Sequence, residues 1–444
     1  MNRNMRNIAG ASTAVLALLL TASHGLAATS STVQATSAAA RAQDSTGDIE
    51  LAAAVREALM RDPDVRMARA EIEVAEVEGS IARNGYLPAI NASAGPESSG
   101  VGYDVTVSQT LYDWGQVRSN VDRTDALTSR QQTQMLITRD DVALQVSEQW
   151  LDIAGGRAQL ALIHDHLERL GRLQNMAQER VTGRFSDQAE LGRANLAVST
   201  ASALRARLNG DLAEAEEIFR VLVGREAGSV RLPQPTTFLI PLRAPAALEQ
   251  SIVASPLYRR SVLEAEAADA TFRESQAARY PRLVLEGSVM RREIGGRLVD
   301  DSAIGLRLRM NTQQGFSTFQ RPRLEAARRD AARLGADGTA RDLKRTLGSL
   351  VVNDRALEDR ISALSDQVTQ SGAVRTAYAE QFIVGRRDIQ DLIVMESEYF
   401  EAERQILELT VERLRNQYRA AAQLGQLADS FVSGSGSGSN TVAQ

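Results

Sequence analysis

Cysteine is absent from all 444 residues, which removes disulfides, thiol nucleophiles, cysteine-ligated metals and a lipid-anchored N-terminal cysteine together. Aromatic residues make up only 4%, so a large compact core is not expected. The 10 prolines leave two long tracts untouched, one between Pro96 and Pro233 and one after Pro322. Beyond the N-terminal segment, no apolar run approaches the ~20 residues of a membrane-spanning helix. A dominant charge sign is lacking too: 51 basic and 56 acidic side chains are interspersed to a net −5, which leaves no footprint for nucleic acid. Catalytic signatures are missing as well, with neither H-E-x-x-H nor G-x-x-x-x-G-K-[ST], so no enzymatic activity, metal or cofactor is expected. Apart from His24, the histidines are His164 and His166, two positions apart on a helix; they point to different faces and read as solvated surface side chains.

What is present begins with an address. Arg3 and Arg6 precede an apolar run from Ile8 to Leu20, and Gly25, Ala27 and Ala28 offer a cleavage site, so residues 1–28 read as a signal peptide. Its loss takes the net charge from −5 to −7. Residues 29–47 are a low-complexity, flexible segment. An exported chain without a spanning helix can enter a bilayer only with strands closed into a barrel, where every backbone group is paired.

From Val101 to Val117 (VGYDVTVSQTLYDWGQV) the period changes. Tyr103, Val105, Val107 and Leu111 alternate with Asp104, Thr106, Ser108 and Thr110, the pattern of a strand with one apolar and one wet face. After Gly115 the alternation gives way to Val117, Val121, Leu127, Leu136, Val142 and Val146 in charged, Gln-rich sequence, as on a long solvated helix. Proline costs ~3 kcal/mol in a helix interior, so the proline-free tracts are where long helices belong. Val117 to Val181 is about 65 residues, roughly 100 Å of helix, with a bend or an interruption expected at Gly155-Gly156. The pattern breaks at Thr182-Gly183-Arg184-Phe185, and Asp187 with Glu190 opens a return helix to Gly224. Upstream, two short helices (Leu51, Val55, Leu59; then Val65 to Ile81) lead to a strand from Ala89 to Gly95.

The chain then repeats itself. Leu248, Ile252 and Ser255-Pro256 echo Leu51, Val55 and Asp62-Pro63, and the interval from Pro63 to Pro88 recurs from Pro256 to Pro281. Leu283 to Arg291 and Ser302 to Asn311 supply a second strand pair, Gly315 answers Gly115, Gly385 answers Gly183, and Asp388 answers Asp187. The implied division is a first repeat at 48–228, a Pro-rich linker at 229–246, a second repeat at 247–429 and a flexible Ser/Gly tail at 430–444. The fold class is mainly α with a small β part, built from duplicated long helical hairpins and four strands. On Ser302 to Asn311, Ile304, Leu306, Leu308 and Met310 share one face, while Gly305, Arg307, Arg309 and Asn311 share the other. The alternatives are a soluble sheet edge or a lipid-facing strand. Four strands cannot close a barrel alone. An oligomer would have to, and Arg307 and Arg309 would then line its lumen and bias it toward anions.

The duplicated order, the GYLP and RYPR helix ends, the strand ending Q-T-L-Y-D-W-G-Q and the glycine breaks at Gly183 and Gly385 resemble the TolC-like outer-membrane channel family across roughly Asp48 to Leu427. The resemblance implies a homotrimer whose four strands per subunit form one twelve-stranded barrel in the lipid of the cell outer membrane, continued by an α-helical tunnel through the periplasm. It implies a periplasmic adaptor (membrane fusion) protein joined to an inner-membrane ABC or proton-driven pump. Residues 384–400 resemble the entrance segment: Asp391 falls at one ring-forming aspartate, with Val394 at the other. Asp388 and Asp391 would otherwise cap the return helix, the favoured reading for Asp388. The hairpin tips, Gly183, Arg184, Gly385, Arg386 and Arg387, are the expected adaptor contacts, with plain solvated turns as the bland alternative. Y-D-W-G resembles members serving type I protein secretion; small-molecule efflux is the alternative cargo class, and a soluble periplasmic coiled-coil scaffold the rival of a different kind.

Overall fold

The computed structural model describes residues 51–97, 100–236, 238–294, 297–310 and 317–433. The signal peptide, the 29–47 segment, Asn311, Gly315 and residues 434–444 lie outside them. Helices α1 (Leu51–Arg61) and α2 (Pro63–Arg83) lead into strands β1 (Ala89–Glu97) and β2 (Gly100–Tyr112), then into the long α3 (Gln116–Thr182) and the return helix α4 (Gln188–Val223). The order recurs as α5 (Pro245–Ala254), α6 (Pro256–Ala277), β3 (Arg282–Ile294), β4 (Arg297–Arg309), α7 (Ser317–Ile383) and α8 (Ile389–Gln423), followed by α9 (Leu427–Ser433). That last helix runs into the segment read as the flexible tail. The strands form one antiparallel sheet in the order β1-β2-β3-β4, so the hairpins of the two repeats meet along β2 and β3.

Helix order follows strand order. Next to the sheet α2 packs on α3, α3 on α6 and α6 on α7; farther away α3 pairs with α4 and α8, and α7 with α8. Both long helices span 67 residues, about 100 Å at ~1.5 Å per residue. Their starts and stops follow local chemistry. Asp62 accepts from the N–H groups of Asp64 and Val65 ahead of Pro63, and Asp187 accepts from Glu190 N–H at 3.0 Å. Gly155-Gly156 do not interrupt α3, which is helical throughout. A Cβ on Gly155 would lie 3.0 Å from Val411 Cγ2, and one on Gly156 3.5 Å from Leu212 Cδ1. The two glycines let α8 and α4 approach α3 closely, a tertiary reason that local sequence does not reveal.

The largest apolar cluster gathers Val55, Val146, Trp150, Ile153, Phe219 and Leu427 where α1, α3, α4 and α9 converge. Trp150 donates its indole N–H to the Arg231 carbonyl at 3.0 Å, so its polar edge is satisfied inside that cluster. The linker between repeats is fastened nearby. Buried Asp354 on α7 accepts from Arg413 at 3.1 Å and Gln417 at 3.0 Å, and Gln417 in turn accepts from Thr236 N–H at 2.9 Å.

At the base of α9, Asp140 of α3 accepts from Ala428 N–H at 2.8 Å. Burial lifts its carboxyl to about 6, and the N–H groups of Ala428 and Leu427 oppose that rise without cancelling it. A carboxyl raised in the folded state contributes stability that is full below its unfolded value and is lost as pH rises through about 6. Amide exchange across α9 is therefore expected to quicken from mildly acidic to neutral pH beyond its intrinsic acceleration. The Asp140→Asn variant should lose that excess.

Candidate functional site

The sheet is divided by face. Register places Ile90, Val107, Gly287 and Ile304 side by side across the four strands, and next to them Val105 with Val289 and Leu285 with Leu306. On β4 this face is bare, with Ile304, Leu306 and Leu308 exposed to 85%, 64% and 70%. The opposite face carries Asn91, Ser93, Asp104, Thr106, Ser108, Glu286, Ser288, Arg307 and Arg309. Glu286, missed in the sequence reading, is buried there between the two expected lumen arginines. It pairs with Arg307 at 3.4 Å and with Arg309. Glu286 occupies a wet-face position of its strand, but its cross-strand partners come from register, which one strand's alternation does not fix.

The apolar face has two borders. Where the sheet meets the helices, Tyr112, Trp114 and Tyr280 cluster with ring centroids 5.0 and 4.9 Å apart, and Trp114 donates to the Pro281 carbonyl at 3.0 Å. The Y-D-W-G segment makes this junction. Trp114 and Gly115 take left-handed backbone, and the Asp113 carboxylate accepts from Gly115 N–H at 3.0 Å and Val117 N–H at 2.7 Å to start α3. At the other border Arg291 lies over Tyr103 and holds Asp300 through two hydrogen bonds of 2.5 and 2.8 Å. From Leu283 to Arg291 is about 27 Å along the strand at ~3.4 Å per residue. At a barrel tilt of ~40° that is roughly 21 Å of height, close to the ~25 Å apolar band of outer-membrane barrels.

The far ends of the hairpins carry the other expected site. Both turns close alike: Arg184 N–H donates to Val181 and Phe185 N–H to Arg180 in one, Gly385 N–H to Phe382 and Arg386 N–H to Gln381 in the other. The left-handed residue is Arg184 in the first turn and Gly385 in the second, so Gly385 answers Arg184 rather than Gly183. Gly183 has its own reason, since a Cβ there would meet the Phe185 ring at 2.8 Å. Arg184 and Arg386 are exposed, whereas Arg387 is half-buried over the Tyr378 ring and donates to Gln381 at 3.1 Å and Asp391 at 3.3 Å. Asp388 stands at the N-cap position but makes no side-chain cap, and only its carbonyl accepts from Asp391 N–H at 3.1 Å. The capping expected of Asp388 is therefore corrected. Ile389, Ala177, Ala194 and Phe382 pack the two tips against each other.

Above the tips lies a cluster that the sequence reading missed. Glu396 of α8 is buried and accepts from Arg169 of α3 and from Arg375 of α7 at 3.3 Å, with His166 Nδ1 at 3.4 Å. Burial alone would raise this carboxyl, but the hydrogen bonds from His166 and Arg169 and the charges of Arg169 and Arg375 together hold it below the usual range. His166 is buried and stacked on Phe400 at 4.2 Å, not solvated as expected; His164 is the exposed one, beside Glu168 at 3.4 Å. Among the described residues no group of His, Asp and Glu is placed to hold a metal ion, and no helix is long and apolar enough to cross a membrane.

The model of the outer membrane efflux protein family matches residues 54–225. The segment it matches holds α2, the β1–β2 hairpin, α3 and α4, and the chain as a whole shares the fold of solved outer-membrane channels. Solved structures of this fold include the outer membrane protein VceC from Vibrio cholerae, at a TM-score of 0.74 and 15% identity over 85% of this chain and 96% of that one. A membrane protein from Pseudomonas aeruginosa superposes at a TM-score of 0.75 and 18% identity, over 85% and 90% of the two chains. The open state of the MtrE outer membrane channel of Neisseria gonorrhoeae gives 0.69 and 19%, over 85% and 89%. No curated protein matches the sequence.

Glu396 joins both hairpins of one subunit near their tips. Glu396→Ala leaves Arg169 and Arg375 facing each other without a carboxylate. We expect a loss of about 2 kcal/mol, below the ~3–5 kcal/mol of a fully buried pair because both guanidinium groups keep some contact with water. Denaturant midpoints of the detergent-solubilised protein check this, with Glu168→Ala expected to leave the midpoint in place.

Proposed function

We propose that three copies of this chain form the passive outer-membrane duct of a tripartite system that expels small molecules. The observation that carries the reading is the pair of open edges. Among the described residues β1 and β4 each lack a partner on one side, and the helices below them are unfinished in a matching way. On α2, exposed Met67, Ala70, Val74, Val77 and Ile81 recur at alternating three- and four-residue spacing, on the side away from α3. On α7, exposed Leu324, Ala327, Ala331 and Leu334 do the same. Exposed Glu71, Glu73, Glu76 and Glu78 flank the first seam, and exposed Arg323, Arg328 and Arg333 the second. α2 runs toward the sheet and α7 away from it, so an antiparallel pairing between copies joins opposite charges and closes strands and helices in one step.

Efflux is the better-supported cargo class. The matching family model is one of efflux proteins, and the Y-D-W-G segment that pointed to protein secretion is accounted for by helix initiation and aromatic packing. The adaptor is assigned to the hairpin tips, through exposed Arg184 and Arg386 and the apolar rim of Phe185, Ile383 and Val384. Arg387, occupied within its own subunit, supports the turn, and Asp391, held by Arg387, borders the entrance with Asp388.

Placing acid in the α2 seam tests the assembly. Val74→Asp with Ile81→Asp should convert trimers to monomers in mild detergent, read by light scattering, with helical content retained by circular dichroism. A variant that stays trimeric would remove the seam from the interface. Arg184→Glu with Arg386→Glu should weaken capture of the adaptor at least tenfold in co-purification while the trimer persists; unchanged capture would move docking elsewhere.

A further inference from the structure

The inner face of the sheet is not uniformly polar. At the end nearest the helices, Arg282 on β3 stands directly opposite Arg309 on β4, and Val284 opposite Arg307 one step further along the same face. Two like charges directly across an antiparallel pair repel. The described carboxylate among them, Glu286, pairs with Arg307 and Arg309. Among the described residues Arg282 has no ion-pair partner. Each subunit thus presents three guanidinium groups to one carboxylate at this level. Toward the far end of the same face the signs mix, with Asp104 and Asp301 near Arg292 and Arg297.

We propose that Arg282, Arg307 and Arg309 form a basic collar at the inner neck of the barrel and make it selective for anionic small solutes, with Glu286 setting its strength. The assignment rests on the trimeric channel reading above, since threefold repetition turns the set into a ring. Within a ring the groups of neighbouring subunits add. Screening at physiological salt extends over ~8 Å, so ions crossing the neck pass through the field of the collar. Low-dielectric barrel walls focus that field along the axis. Glu286 has two roles. It relieves part of the repulsion that would otherwise splay β3 from β4, and it leaves a positive remainder in the lumen. Sequence reading found two of these arginines from one strand; the third needs the β3–β4 register, which puts residue 282 and residue 309 on one rung.

The test is single-channel recording of the full-length protein in planar bilayers under a potassium chloride gradient, with the reversal potential giving the chloride-to-potassium permeability ratio. Arg282→Gln with Arg307→Gln and Arg309→Gln should lower the ratio at least twofold relative to wild type. Glu286→Gln, which removes a charge of the other sign, should raise it. Movement in both directions supports the collar. A conducting wild type whose ratio is the same in both variants overturns the collar and leaves the channel reading standing, whereas a wild type without any conductance overturns the channel reading and the collar with it. Glu286→Gln also guards against misfolding of the triple variant, because a ratio unmoved by that single change in a channel that still conducts is enough to reject the proposal.

Discussion

A backbone hydrogen-bonding group cannot be left bare in hydrocarbon. Each unpaired N–H or C=O there costs several kcal/mol, and a four-stranded sheet with free β1 and β4 edges exposes two full rows of them. In the channel proposed above, those rows have to be closed. The sheet is too narrow to curl onto itself, so closure has to come from further copies, and the edges of one copy must fit the edges of the next. Helix order copies strand order, α2-α3-α6-α7 beneath β1-β2-β3-β4. A joint made between copies in the sheet is therefore continued by a joint in the helices, where no lipid enforces it and packing and charge must do so.

Duplication supplies most of the material, and the two repeats have diverged where the physics demands different things. At the offset of 201 positions that relates Asp187 to Asp388, Gln174 and Asn195 correspond to Arg375 and Glu396. The first pair is a neutral amide hydrogen bond of 2.7 Å at an exposed position; the second is an ion pair of 3.3 Å whose carboxylate is buried. A buried carboxylate needs more than one partner, and the extra partners, Arg169 and His166, come from the first hairpin. The polar pair that holds one hairpin together in the first repeat has become, in the second, the point where both hairpins are tied.

The elements were legible in the sequence because they are local. Alternation in Val101 to Leu111, interrupted at Gln109, and in Ser302 to Met310, and the absence of proline over the long tracts, located strands and helices whose ends lie within a few residues of those observed. Asp187 capped as its sequence suggested. What escaped was decided by neighbours distant in the chain. His166 looks like any helical surface histidine until Phe400 covers it, and Gly155-Gly156 looks like a helix break until Val411 and Leu212 lie against it. Asp388 looks like Asp187, yet its side chain takes no capping hydrogen bond. Gly183 and Gly385 look equivalent, but the left-handed position in the first turn is held by Arg184, at a cost of about 1 kcal/mol that glycine would avoid.

The two-faced strand also explains why the sheet must pass into helices at an aromatic border. On the outer face the apolar row stops at Tyr112, Trp114 and Tyr280, rings whose polar edges suit the level of lipid headgroups. In the proposed channel no hydrocarbon surrounds the wall below that level, and an alternating strand would show its apolar face to water. A helix solves this, because its apolar stripe can be turned sideways against neighbours while both its inner and outer surfaces stay wet. The change of period at Gly115 is thus the change of solvent written into the chain. The Asp113 carboxylate, which starts α3 after only three residues beyond Tyr112, keeps the stretch of irregular backbone between strand and helix short.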